Sequence, residues 1–275
     1  MTRFLSLQQW FHSLLSFPLP GWSDRGKEAD QAWFYRLRWA RPQARPAYIC
    51  DLNPTLSIDQ RFSLAETVVS HWQSLDLLPS DPLLRLVQAH THLHVLPAGQ
   101  ILLTPDAIAL AAWLNWFISI DRYDQMKSCP AMPPASVTLP PTALATRLHL
   151  SPWMAIHYIH SRCHSLSKGL VDSGLNPPPS ILADVSYRPE DSMPTTEVGQ
   201  RVLQGIINLV DHLVDPEVGG DGGAARFKLA SDLAERVDRW LSQVTIASPP
   251  PDLALLLRGV DRSLSLVTGG PGLAL

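Results

Sequence analysis

Arg36, Arg38, Arg41 and Arg45 interleave with Trp33, Tyr35 and Trp39 in the only dense basic–aromatic cluster of the sequence. Guanidinium groups pair with phosphates and aromatic planes stack on unpaired bases, so this combination can hold a nucleic-acid strand. The plainer alternative is an amphipathic element that buries Trp33, Phe34 and Leu37 and leaves its arginines solvated. A second group lies in residues 153–170, WMAIHYIHSRCHSLSKGL. There Trp153, Ile156, Ile159, Cys163, Leu166 and Leu170 recur at helical spacing, and Tyr158, His160, Ser161, Arg162 and Lys168 form an intervening polar face. Spacing alone is neutral on whether Tyr158, Arg162 and Lys168 face a ligand. Alternatively, Arg162 pairs with an acidic residue of a neighbouring helix, such as Asp232 or Glu235, and acts structurally.

Other chemistries find less support. His157, His160 and His164 can line one helical face, and His90, His92 and His94 alternate along a predicted strand. Three imidazoles can ligate zinc, but metal sites usually draw ligands from several elements and no carboxylate accompanies the helical set at ligand spacing, while the strand set suits a solvent-facing strand side. No metal and no cofactor is therefore expected. GxSxG, Walker-type and dinucleotide glycine motifs are all missing, which argues against an enzyme. Thr268 to Gly272, TGGPG, resembles a helix stop rather than a phosphate cradle. The cysteines Cys50, Cys129 and Cys163 are odd in number and far apart, so they suggest neither a disulfide framework nor a metal knuckle, and favour a reducing cytoplasm.

The elements that must position these groups divide into two halves. Proline-rich residues 128–142 are expected to link an N-terminal α+β module, 1–127, to a helical domain, 143–275. In the module, Phe4, Leu7, Phe11, Leu14 and Leu15 trace one helical face. Residues 29–39 suit either helix or strand, and 47–50 read as a short strand. A helix is expected over 63–75, capped by Ser63 and Glu66. Runs 90–95 and 100–103, separated by Pro97-Ala98-Gly99, suit a hairpin. A helix over 106–120 follows, with Thr104-Pro105 as its cap. The second half predicts helices at 152–173, 196–215, 224–242 and 252–268, with a long loop at 176–194 and a flexible break at GGDGG, 219–223. Apolar stripes at Leu229, Leu233, Val237, Trp240 and Leu241, and at Leu253, Leu256, Leu257, Val260, Leu264 and Val267, require a helical bundle to cover them.

Composition sets further bounds. At 45% apolar and 17% charged residues the chain belongs with folded globular proteins. Its net charge of −3 provides no bulk basic field, so any RNA contact must come from a local patch. Gln8, Gln9 and His12 interrupt the N-terminal apolar residues, which argues against a signal-peptide core, and no apolar run approaches the roughly 20 residues of a membrane span.

Residues 153–170, with a tyrosine, two residues, a small residue and then an arginine, resemble the first helix of the DALR-type anticodon-binding domain of arginyl-tRNA synthetases. LASDLAERVDRWLSQVTIA, 229–247, and LALLLRGVDRSLSLVTGGPGLAL, 253–275, are similar to later helices of that domain in the same order. The resemblance covers 143–275. A fainter one links PAGQILLTPDAIALAAWL, 97–114, to the N-terminal additional domain of those enzymes. Ser167 departs from the basic residue many relatives carry, and His157 and His164 are atypical. Neither a HIGH-like nor a KMSKS-like motif occurs, and the linker leaves no room for a catalytic domain. The resemblance implies a mainly α fold, an N-terminal α+β module followed by a DALR-like antiparallel helical bundle. It also implies a non-catalytic cytoplasmic adapter that binds tRNA, of the arginine type by analogy, and presents it to a modifying enzyme. Arg36, Arg38, Tyr158, Arg162 and Lys168 would be its RNA-binding residues. Nine tryptophans and the near-neutral charge suit a different role, a protein-interaction or assembly subunit of a larger complex that has lost RNA binding.

Overall fold

The computed structural model describes residues 6–15, 34–40, 46–74, 81–119, 141–173, 194, 196–214, 222–244 and 252–268. Within them the protein is mainly helical, with one small antiparallel sheet. The chain divides into two compact units, Met1–Trp113 and Leu114–Leu275.

In the N-terminal unit, helix α1 (Leu7–Leu15) precedes strands β1 (Phe34–Trp39) and β2 (Tyr48–Leu52). Helices α2 (Ile58–Ser74) and α3 (Pro82–Ala89) follow, then β3 (Thr91–Val95), β4 (Ile101–Pro105) and α4 (Ala107–Ser119), within which the division between units falls. The strands are ordered β1-β2-β4-β3, each pair antiparallel. Period-two alternation gives the sheet one buried and one open face. Leu37, Tyr48, Cys50, Leu52, Thr91, Leu93, Ile101 and Leu103 are buried, while Arg36, Arg38, His92 and His94 lie on the more open side. Helix α1 adds Trp10 and Phe11 to the core, and Gln8 Nε2 donates to the Leu37 carbonyl at 3.0 Å, joining α1 to β1. Tyr48 is flanked by Phe11, edge-on at 5.2 Å, and Trp39 at 4.9 Å.

Several element ends differ from the sequence expectation. Residues 34–39 form a strand, which settles the helix-or-strand alternative for this segment. Helix α2 starts one and a half turns earlier than expected, because Ser57 and Gln60, not Ser63 and Glu66, form the capping box. Gln60 N donates to Ser57 Oγ at 3.2 Å and Ser57 N donates to Gln60 Oε1 at 2.9 Å. The cap of α4 is Asp106, whose Oδ1 accepts from Ile108 N at 2.8 Å and Ala109 N at 3.0 Å. Thr104 and Pro105 instead end β4. The Pro97-Ala98-Gly99 hairpin turn is present, with Gly99 at φ +70 and Gly99 N donating to Leu96 O at 2.9 Å. Helix α3, capped by Asp81 with Pro82 in its first turn, has no counterpart among the sequence expectations.

The C-terminal unit contains α5 (Ala143–Leu148), α6 (Pro152–Asp172), α7 (Glu197–Val214), α8 (Gly222–Leu241) and α9 (Leu253–Thr268). Helix α7 packs chiefly on α8, and α6 on α9 and α8. The predicted stripe of α9 is wholly buried, as are Leu233, Val237, Trp240 and Leu241 of α8. Two expectations require correction. His160, expected on the polar face of α6, is buried against α9 at 2% exposure. Gly222 and Gly223 form the first turn of α8 rather than a flexible break. Phe4, Trp33, Arg41, Arg45, Cys129, most of the linker 128–142, the loop 176–193 and Gly219 lie outside the described residues. Cys50 and Cys163 are free and buried, and burial pushes both thiols far above their ordinary range, so neither is set up as a nucleophile. Among the described residues no helix is long and apolar enough to cross a membrane.

Candidate nucleic-acid interface

Local capping fixes two helix starts at the site. Ser151 Oγ accepts from Met154 N at 3.2 Å, with Pro152 in the first turn, and starts α6. Thr142 Oγ1 accepts from Ala145 N at 3.2 Å and starts α5. Glu235 of α8 reaches the same end, its Oε1 accepting from Leu144 N at 3.3 Å. This arrangement brings Arg147 of α5 and Arg162 of α6 onto one carboxylate of α8. Arg162 Nη1 lies 3.5 Å from Asp238 Oδ1, and Arg147 Nη2 pairs with Asp238 Oδ2. The partner of Arg162 is therefore Asp238, one turn beyond Glu235, and neither Asp232 nor Glu235.

Along the other side of α8, a surface cleft of about 380 Å³ is lined by Arg201 and Gln204 of α7 and by Asp232, Glu235, Arg236 and Arg239 of α8. Arg236 Nη1 donates to the Arg201 carbonyl at 3.1 Å, while Arg201 pairs with Glu197. Partial burial raises the carboxyl of Asp232 above its ordinary range and nearby Glu235 adds to this, against the opposing pull of Arg236 and Lys228. Its negative charge is thus less firmly held than that of a solvated aspartate. Glu235 joins the two regions, so a surface of five arginines interleaved with four carboxylates runs across α8.

The five residues singled out in the sequence fall into separate sets. Arg36 and Arg38 stand on the open sheet face of the N-terminal unit. Arg38 makes a two-point pair with Asp51, at 2.6 Å from Nε and 3.4 Å from Nη2. In the C-terminal unit, Tyr158 and Arg162 lie one turn apart on α6, both partly exposed. Lys168 is exposed but sits about 120° around the helix from Arg162, so it does not share that patch. Sequence reasoning missed Arg147, Arg201, Arg236 and Arg239. A Thr142 cap directly after Pro140-Pro141, and the i, i+3, i+4, i+7 recurrence of Asp232, Glu235, Arg236 and Arg239, are signals that could have found them.

His157 and His160 of α6 are buried in packing. Thr268 Oγ1 lies 3.1 Å from His160 Nδ1. Asp261 Oδ1 stands 3.2 Å from His160 Nε2, off the line a hydrogen bond needs. Asp261 Oδ2 lies 3.3 Å from the exposed His164. His157 is buried edge-on to Trp153 at 4.6 Å, and its Nε2 finds no hydrogen-bond partner among the described residues. Burial, aided by His160, lowers the affinity of His157 for a proton. The unfolded chain then binds that proton more readily, so stability is full above pH 6.5 and falls as the pH drops below it. Each full unit of depression is worth about 1.4 kcal/mol. Urea midpoints at pH 7.5 and 5.5 should show a smaller acid loss in a His157→Gln variant than in the parent; equal losses would remove His157 as a cause. Among the described residues no group of three or more His, Cys, Asp or Glu side chains is placed to hold a metal ion.

No protein-family model, curated protein or solved structure matches the chain.

Proposed function

We propose that this chain is a non-catalytic tRNA-binding adapter whose C-terminal unit is a DALR-like antiparallel bundle. The observation that carries the reading is the convergence of Arg147 and Arg162 on Asp238, beside a cleft bearing Arg201, Arg236 and Arg239. Arg147 and Arg162 are 58% and 38% exposed at their side chains, so each can turn free N–H groups to an RNA phosphate while staying paired with the mostly buried Asp238, and Tyr158 one turn from Arg162 offers an aromatic plane for an unpaired base. Phosphate contacts would position the RNA, and stacked loop bases would select it.

The test is tRNA binding by the full chain across a salt series. Affinity should fall steeply with salt, and replacing Arg147 and Arg162 together by alanine should weaken binding at least about tenfold and reduce the salt slope by about one per arginine. Failure to retain tRNA at low salt, or an unchanged slope in the double variant, would refute the reading. One observation favours the assembly-subunit role instead: Ile58 and Phe62, a turn apart on α2, remain 58% and 38% exposed. A stoichiometric protein partner, purified without RNA and released by Ile58→Asp, would establish that alternative.

A further inference from the structure

Strand register places side chains from all four strands in one straight row on the open sheet face. Arg38 is opposite Ile49, Ile49 opposite Leu102, and Leu102 opposite His94. The row therefore reads cation, two aliphatic side chains, imidazole. Its flanks carry Arg36 at the β1 end and His92 at the β3 end, both exposed, with Asp51 and Thr104 between. Asp51, a carboxylate on this face, is already engaged by Arg38 and by Gln100 Nε2. Arg36 makes no ion pair among the described residues. Among the described residues of this face two guanidiniums stand against one carboxylate, a net charge opposite in sign to the −3 of the chain.

We infer that this face is a binding platform for a short single-stranded RNA segment, separate from the arginine surface of α8. Charge complementarity selects a polyanion, and the composition of the row selects among polyanions. A peptide of acidic residues alone would use the arginines but leave Ile49, Leu102 and the imidazoles without a role. A single strand uses all of them, with phosphates on Arg36 and Arg38 and bases over the aliphatic strip and the His92 and His94 rings. The dimensions agree. β1 and β3 are three strand spacings apart, roughly 14 Å. At about 3.4 Å per stacked nucleotide this spans about four bases, the lower end of the usual single-strand site size. The inference shares with the proposed function only the choice of RNA as ligand.

The experiment titrates a fluorescent single-stranded RNA hexamer, and separately intact tRNA, into the full chain. Three proteins are compared: the parent, a variant with Arg147→Ala and Arg162→Ala, and a variant with Arg36→Ala and His94→Ala. Hexamer binding read from the His92 imidazole resonance should be equal in the first two and at least about tenfold weaker in the third. The imidazole C–H resonances of His92 and His94 should shift as hexamer is added to the parent, a readout independent of whether any variant folds. If the hexamer fails to bind the parent at low salt, or if binding depends on Arg147 and Arg162 while both histidine resonances stay fixed, the inference is overturned even where tRNA binds. If tRNA binding fails while the hexamer binds and shifts both histidines, the platform stands and the proposed function does not.

Discussion

Phe11→Ala is expected to destabilise the N-terminal unit by about 3–5 kcal/mol, the usual cost of removing a fully buried ring. Phe11 has no exposed surface, and its edge packs on Tyr48 at 5.2 Å, while Tyr48 in turn meets Trp39 at 4.9 Å. These rings join α1 to β1 and β2, and the Gln8 bond to the Leu37 carbonyl adds a polar tie between α1 and β1. Deleting the ring leaves a cavity the stiff sheet cannot close, so loss of packing adds to loss of burial. Phe11→Leu preserves much of the volume and should cost less than about 1.5 kcal/mol. Urea unfolding followed by tryptophan fluorescence measures both, with proteolysis of the N-terminal unit as a check because two units need not unfold together. A loss below about 1 kcal/mol for Phe11→Ala would show that α1 contributes little to this core.

What the sequence disclosed follows from the length and regularity of each signal. Helices α8 and α9 are legible because four or more apolar side chains recur in one stripe, and a bundle is the simplest way to bury two such faces. Helices α3 and α5, at 8 and 6 residues, are too short for a stripe, and only their caps mark them. The start of α2 is ambiguous in the sequence because SIDQ and SLAE are both capping-box patterns; nothing between them breaks a helix, so the first prevails. The chemical type of His160 suggests a polar face, although its spacing, four after Ile156 and three before Cys163, puts it in the apolar stripe. The site is less legible than the fold. Asp238 joins Arg147 and Arg162 through contacts among three helices, and spacing within any one of them carries no record of that meeting. The open sheet row likewise depends on register across three strand pairs, which hydrophobic alternation orients but does not align.

Gly99→Ala should cost roughly 2–5 kcal/mol, from two independent causes. At φ +70 the residue occupies the left-handed region, where a side chain crowds the following carbonyl at about 1–2 kcal/mol. A Cβ there would also stand 2.7 Å from Arg61 Cβ and 2.9 Å from Phe62 N. Those atoms belong to or adjoin the α2 backbone and cannot swing aside, so the hairpin or the helix must move, at about 1–3 kcal/mol. Gly169 provides the contrast: it lies within α6, and a methyl group added there would meet nothing within 4 Å. Alanine at that position should therefore stabilise by about 0.5–1 kcal/mol. The sign difference between two identical substitutions, read as urea midpoints, tests backbone geometry rather than residue chemistry. The hairpin also has a functional readout. It holds Leu102 and His94 opposite one another, so Gly99→Ala should weaken binding of the RNA hexamer while leaving tRNA contacts through Arg147 and Arg162 intact. Unchanged stability in the Gly99 variant would mean that the turn does not need its left-handed residue; unchanged hexamer binding in a destabilised variant would place the RNA away from the β3–β4 hairpin.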